Sequence, residues 1–460
     1  MWLRDAWQHA PTQRKVWALA TPMILSNLSV PLVALVDSAV IGHQPHAHQL
    51  AAVAVGGTLY TLLAWTLVFL RMGITGFAAQ AAGREDGGAV RQTLVQGLLL
   101  GLGLALLLAL PAVPLSAMAL DLMQSEPALR QLAGDYFSTR LFGLPAALIS
   151  YALVGWFLGL QRARAALAVL LCTNLVNVAL ALWFVLGLGW GVSGAARAAV
   201  LAEWSGALLG LWLTRPALRP YPGRIDWPAL GLWRNWRPLL AVNRDLLIRS
   251  LALQLVFLLI TLQGTRLGTL TVAANALLLN GLLLMAHALD GLAHAVEALC
   301  GHALGARDRS ALRRALVVAG GWSLLGSLGF ALFFLLAGRL FIQLQTDIET
   351  VRLQAYPHLP YLALLPLISV WSYLLDGLFI AATRAREMRN AMLLTLGLSL
   401  PLALALQGWG NHGLWLAFLG FMLLRAASLG GYAWRLTRND AWFAPSEAHC
   451  PPPLTQSNYL

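Results

Sequence analysis

Twelve long apolar runs, separated by short breaks rich in Arg, Gly and Pro, follow one another along the 460 residues of this chain. An apolar helix of about 20 residues crosses the hydrocarbon of a bilayer, where each backbone N–H and C=O must find its partner inside the segment. The runs fall near 16–41, 50–82, 90–119, 128–160, 165–187 and 191–213, then near 240–265, 271–305, 313–338, 352–382, 388–406 and 412–434. Only 11% of the residues are charged, against roughly 25% in soluble domains, so a water-soluble globular protein is excluded. The fold class is therefore an all-α integral membrane protein with 12 transmembrane helices.

Charge placement sets the expected orientation. The chain has 31 basic and 19 acidic residues and a net charge of +12. In a soluble protein this would suggest nucleic acid, but here the arginines sit in short loops, where the anionic inner leaflet is the natural partner. Alternate loops hold Arg84 and Arg91; Arg162 and Arg164; Arg215, Arg219, Arg224, Arg234 and Arg237; Arg307, Arg309, Arg313 and Arg314; and Arg384, Arg386 and Arg389. The intervening loops hold Arg130, Arg266, Arg339 and Arg352, so 16 arginines face 4 and both termini are expected in the cytoplasm. Arg4, Arg14 and Lys15 precede a run that continues from Val16 to Ile41, which reads as a retained first helix rather than a cleaved signal. Cys172, Cys300 and Cys450 are far apart and lack metal or redox spacing.

The halves are related. At an offset of 222, LAAVAVGG (50–57) overlies VAANALLL (272–279), AAQAAGRED (78–86) overlies CGHALGARD (300–308), and GWFLGLQRAR (155–164) overlies GLFIAATRAR (377–386). GWGVSG (189–194) matches GWGNHG (408–413) at 219. The offset spans an even number of helices, so the copies insert in the same sense as parallel repeats around a cleft. The expected organisation is a cytoplasmic segment 1–15, an N-lobe 16–213, a linker 214–239, a C-lobe 240–434 and a cytoplasmic tail 435–460, with six helices in each lobe.

Three segments carry a family resemblance: LATPMILSNLSVPLVALVDSAVIGH (19–43), ALDGLAHAVEALCGHALGARD (288–308) and LLDGLFIAATRAREMRNAM (374–392). They resemble the multidrug and toxic compound extrusion family, with wording similar to its DinF-type branch, over about residues 14–437. The resemblance implies a two-lobe, monomeric exporter in a bacterial inner membrane, without cofactor or metal. It would use a proton gradient, with sodium as the alternative, to expel amphipathic and often cationic compounds.

Ionisable groups at membrane depth cost about 2.5–3.5 kcal/mol on insertion scales and mark functional candidates. Asp37, Glu203, Asp290, Glu297 and Asp376 fall inside the helices. Asp37 lies five residues before Gly42, with no basic residue within two turns along its helix. Desolvation favours a neutral carboxyl, which is what proton coupling requires. The resemblance makes Asp37 the protonation site of the N-lobe and Pro22 the point at which helix 1 bends. Asn174 and Asn177 share a helix face as substrate-cavity candidates. Where proton-coupled relatives often continue with an aspartate, this chain has Ala181. Asp290, His294 and Glu297 form an i, i+4, i+7 stripe, suited to ion coupling or to an inner gate. Asp376 is expected in that gate, paired with Arg384, Arg386 or Arg307. Glu203 is expected to face the cavity, and Tyr136 offers a ring on which a planar cation can stack. His43, His46 and His48 read as a solvated loop.

The leading functional expectation is a secondary active exporter in which carboxylates bind either proton or cation. A lipid-linked flippase is the alternative within transport, disfavoured because the buried charges read as mainly acidic. A lipid-modifying intramembrane enzyme would need Asp290, His294 and Glu297 as its catalytic set. No GxxxxGK[ST] phosphate loop occurs.

Overall fold

The computed structural model describes residues 2–42, 47–122 and 126–443, without the side chains of 2, 3, 30–35, 37–39, 41, 42, 47, 48 and 122. Its helices are α1 (Trp2–Trp7), α2 (Ala10–Gly42), α3 (Ala47–Thr66), α4 (Phe69–Gly83), α5 (Gly87–Leu122), α6 (Pro127–Leu141), α7 (Leu144–Gly159), α8 (Ala163–Ala181) and α9 (Gly191–Leu218). The second half holds α10 (Trp227–Leu230), α11 (Trp233–Arg266), α12 (Thr269–Gly305), α13 (Arg309–Gln343), α14 (Glu349–Ala355), α15 (Leu359–Ala381), α16 (Ala385–Ala405) and α17 (Gly410–Arg438). Among the described residues, nine helical segments are long and apolar enough to cross a membrane, and α6 with α7, bent by 48°, makes a tenth. The remaining long helices are α2 and α9, and α9 carries Arg197 and Glu203. These account for the twelve spans. Helix α11 begins at Trp233, inside the stretch expected to be linker.

The internal repeat recurs in the backbone. Glu85 and Arg307, 222 residues apart, have φ of 58° and 54°, and Gln161 and Thr383, also 222 apart, have 58° and 55°. Left-handed φ at a non-glycine residue costs roughly 1–2 kcal/mol, so the same turn at matching positions reflects a shared loop geometry. The aspartates that close the RED and ARD strings each begin a helix. Asp86 Oδ1 accepts from Ala89 N at 2.9 Å, and Asp308 Oδ1 accepts from the N–H groups of Ser310 and Ala311, both at 2.9 Å. These bonds satisfy donors that a helix start leaves open.

The lobes, α2–α9 and α11–α17, meet chiefly where α12 packs on α2 and α4. At that seam a Cβ on Gly83 would lie 2.1 Å from the His302 carbonyl oxygen, and one on Gly305 would lie 2.2 Å from that of Gln80. Both pairs obey the 222 offset. Only glycine permits the two helix ends to cross this closely around the pseudo-two-fold axis.

One apolar core joins both lobes on the face that carries the described chain ends. It unites Val16, Leu19 and Met23 of α2 with Ala78 and Ala82 of α4, Cys300 and Ala303 of α12, and Ile380 of α15. Towards the opposite face the cores are separate: Leu278, Phe334, Trp415 and Phe418 belong to one lobe, and Ala52, Leu120, Ala133 and Tyr136 to the other. Among the described residues the molecule is thus closed at the termini face, and its cores divide towards the other.

Candidate ion-coupling and gating site

Two turns of α12 bring Asp290, His294 and Glu297 to one side. Glu297 is buried, and its Oε2 accepts from Nη1 of Arg71 at 3.0 Å. Arg71 sits in the first turn of α4, just after the break at Leu67–Val68, so this pair joins the two lobes. His294 Nδ1 lies 3.3 Å from Glu297 Oε1 and 3.4 Å from Arg71 Nη1. A Cβ on Gly155 would lie 2.3 Å from the Arg71 carbonyl oxygen, so α7 seats the α4 backbone that presents the guanidinium.

Asp376 of α15 forms the adjoining part. Its Oδ2 accepts from Arg249 Nη1 of α11 at 3.2 Å and from Arg425 of α17. Arg249 also reaches Met72 Sδ at 3.3 Å, the residue next to Arg71. The half-buried Asp290 lies in the field of His294, Arg71 and His287, and Arg249 feels Asp376, Asp290 and Glu297 together. Three arginines and three carboxylates therefore share one region, and with all three acids ionised these six charges sum to zero. In so apolar a setting each partner compensates the desolvation of the others, and removing one leaves a buried charge at a cost of about 3–5 kcal/mol unless the lobes part and return that charge to water.

The partners of Asp376 differ from those expected. Arg384, the residue just before α16, instead donates to Glu387 Oε1 at 2.8 Å and to the Ala441 carbonyl at 2.6 Å. Arg71, Arg249 and Arg425 escaped the sequence reading, which treated arginine as a marker of topology. Their signal was present: each interrupts an apolar run, in FLRMG, LIRSLA and LLRAAS. The buried charges are consequently not mainly acidic, and the case against a flippase cannot rest on an acid excess.

Glu203 is held by partners within its own lobe. Arg140 Nη2 of α6 donates to its Oε1 at 3.0 Å, and the Tyr60 hydroxyl of α3 lies 3.1 and 3.2 Å from its two oxygens. The Arg140 guanidinium stands 4.0 Å above the Tyr60 ring. A Cβ on Gly143 would lie 1.8 Å from Glu203 Oε2, so the α6–α7 bend leaves room for the carboxylate. Every member belongs to the N-lobe. Tyr136 packs nearby in the apolar core of that lobe, where a Cβ on Gly56 would lie 3.0 Å from its ring.

Asn174 of α8 donates to Ser29 Oγ of α2 at 2.7 Å, and Asn177, one turn on, is buried. Pro22 lies within α2 and leaves the Ala18 carbonyl without its helical donor. The side chain of Asp37 lies outside the described residues, as do His43, His46 and the side chain of His48. Cys300 is buried and Cys172 half-buried, both as free thiols, while Cys450 lies outside the described residues.

The geometry is that of a two-lobed membrane bundle with a charged seam, and comparison with known proteins identifies its kind. A family model described as MatE matches residues 22–183 and 246–405, once in each lobe. The chain belongs to the MatE family. It is 44% identical to the DNA damage-inducible protein F of Escherichia coli (strain K12) over 437 residues, covering 94% of each chain. It is 29% identical to a probable multidrug resistance protein NorM of Rhizobium meliloti (strain 1021), covering 91% of this chain and 92% of that one. A solved structure described as the outward-facing conformation of a multidrug resistance MATE family transporter of the MOP superfamily shares its fold, with a TM-score of 0.82 at 19% identity over 94% of this chain and 96% of that one. MatE membership makes the chain a multi-pass membrane transporter of the efflux type, and the reading of Asp290, His294 and Glu297 as a catalytic set falls away.

Proposed function

We propose that this MatE transporter is a proton-coupled antiporter that expels amphipathic, often cationic compounds by alternating access. The observation that carries the reading is the Arg71–Glu297 pair, which ties one lobe to the other at the closed face. The imbalance of 16 arginines against 4 supports a cytoplasmic side for that face and for both termini. The cleft then faces outwards and the ion pair is a latch on its inner end.

A proton taken up by Asp290 or Glu297 turns three arginines against three carboxylates into three against two. The excess positive charge loosens the hold of Arg71, and rocking of the lobes then opens the inner face. Asp37, in the N-lobe sequence, is the complementary site: it carries either a proton or a substrate cation, and this exclusion couples the two flows. Support comes from the absence of a basic residue within two turns of Asp37 along its helix and from the Asn174–Ser29 bond, which makes the α2–α8 contact polar. Asp376, held by two arginines of its own lobe, braces the C-lobe side of the gate.

Purified protein in liposomes, loaded with a fluorescent cation and given either a pH or a sodium gradient, tests the reading. Dye movement driven by the pH gradient and lost in Asp37→Asn is expected. Movement driven by sodium alone would refute proton coupling, and full pH-driven transport by Asp37→Asn would remove that residue from the mechanism.

A further inference from the structure

A cavity lies apart from the charged seam, within the C-lobe at the termini face, where α11, α16 and α17 pack on one another. Its volume is about 1150 Å³, and all of its lining residues fall between Trp233 and Asn439. Six arginines line it: Arg237 and Arg244 from α11, Arg384, Arg386 and Arg389 around the start of α16, and Arg435 from α17. Two carboxylates share the wall, and each is already matched there. Asp245 accepts from Arg244 at 2.9 Å and from Arg389 at 2.8 Å, and Glu387 from Arg384 at 2.8 Å. Setting aside Arg386, which is itself engaged, five positive charges against two negative leave the lining at +3, concentrated in one recess.

The rest of the wall is part polar, from Thr383, Asn390 and Asn439, and part apolar. Leu240, Ala241, Val242, Tyr432 and Leu436 line it, and Trp233 stands at the same end with 70% of its surface exposed. Exposed tryptophan at a helix end marks the level of lipid headgroups. A recess that offers guanidinium groups beside an apolar wall, in a protein surrounded by lipid, fits a phosphate diester carrying acyl chains better than a free inorganic anion. Guanidinium groups suit phosphate oxygens because their donors are arranged as a planar fork.

We infer that this cavity is a binding site for the headgroup of an anionic phospholipid, seated between α11 and the start of α16. The lipid phosphate takes the charge that Asp245 and Glu387 leave uncompensated, and its chains lie along α11 and α17. The occupant would also tie the first turns of α11 to the α15–α16 loop.

The test uses the full chain, purified and stripped of lipid. It is titrated with phosphatidylglycerol, with phosphatidylcholine of the same chains, or with inorganic phosphate, and bound molecules are counted by native mass spectrometry. Phosphatidylglycerol is expected to bind at least about tenfold more tightly than phosphatidylcholine, and the double variant Arg237→Gln/Arg435→Gln to lose roughly ten- to thirty-fold of that affinity, about fivefold per arginine. Removing the same charge elsewhere on this face, in Arg313→Gln/Arg314→Gln, should leave the preference intact. Equal affinity of the wild-type chain for the two lipids refutes the proposal without any variant. An equal loss in the control pair refutes the location, and displacement of the lipid by millimolar inorganic phosphate alone refutes the lipid in favour of a free-anion site.

Discussion

Glu203 and Glu297 are both carboxylates at membrane depth, the first half-buried and the second buried, and both are held by an arginine at 3.0 Å. They differ in where the arginine comes from. Arg140 belongs to the same lobe as Glu203, whereas Arg71 reaches Glu297 from the other lobe. Lobes that rock as bodies leave the first pair intact through the cycle and must break the second. One distance thus supports two roles, and only the connectivity of the helices separates a brace from a latch.

The largest effect that would break this comparison concerns the brace. Arg140→Leu strands Glu203 beside Tyr60 with its charge uncompensated, and stability should fall by about 3–5 kcal/mol, read as a lowered Tm of the purified protein. If the Tm is unchanged, Glu203 is not held as a structural pair. The latch should respond in the opposite manner. Glu297→Gln should keep the protein folded, because the lobes can part around Arg71, yet lower efflux of a fluorescent cation by about tenfold or more, as a loss of about 1.4 kcal/mol in closing the inner face requires. Normal efflux by this variant would show that the pair is ornamental to transport.

The seam sharpens the comparison through its symmetry. Gly83→Ala and Gly305→Ala each drive a methyl into a backbone carbonyl of the other lobe, and overpacking of this kind costs about 1–3 kcal/mol. The two variants should shift the closed face towards opening by similar amounts, measured by labelling of the buried Cys300 thiol. A large inequality would mean that the lobes do not close symmetrically. The smallest effect lies outside the bilayer. Asp308→Ala removes the cap of α13 and should cost about 1 kcal/mol at neutral pH. The hydrogen bond from the Ser310 hydroxyl, with those from backbone N–H groups, holds the Asp308 carboxyl below its ordinary value of 3.8. A depressed folded value means that its stabilisation is present above 3.8 and is lost as the pH falls from there through the folded value. The Tm difference between wild type and variant should therefore shrink on acidification.

Much of the scaffold was legible in the sequence because bilayer depth imposes long apolar runs and a repeat leaves its own offset. The 222-residue spacing read from AAQAAGRED and CGHALGARD reappears as paired left-handed turns and as paired glycines at the seam. The acidic side of the site was legible too, since a carboxylate in an apolar run stands out. Its partners were not. Arg71 and Glu297 are 226 positions apart, and no local spacing announces a contact made by two lobes folding together. Glu203 was read from its depth along α9, but depth does not say which way a side chain turns; the bend between α6 and α7 does, by bringing Arg140 and Gly143 to it.

The Arg71–Glu297 pair holds the inner face shut in this mechanism, and the Arg140–Glu203 pair does not. Cys300 reports on this directly, because it is buried in the core that joins the lobes. Its labelling by a maleimide can be followed in a background with Cys172→Ser and Cys450→Ser, comparing Glu297→Gln with Glu203→Gln well below the Tm of each. The account predicts labelling about tenfold faster or more in Glu297→Gln, and a rate in Glu203→Gln close to that of the parent. Equal rates in the two variants would contradict it.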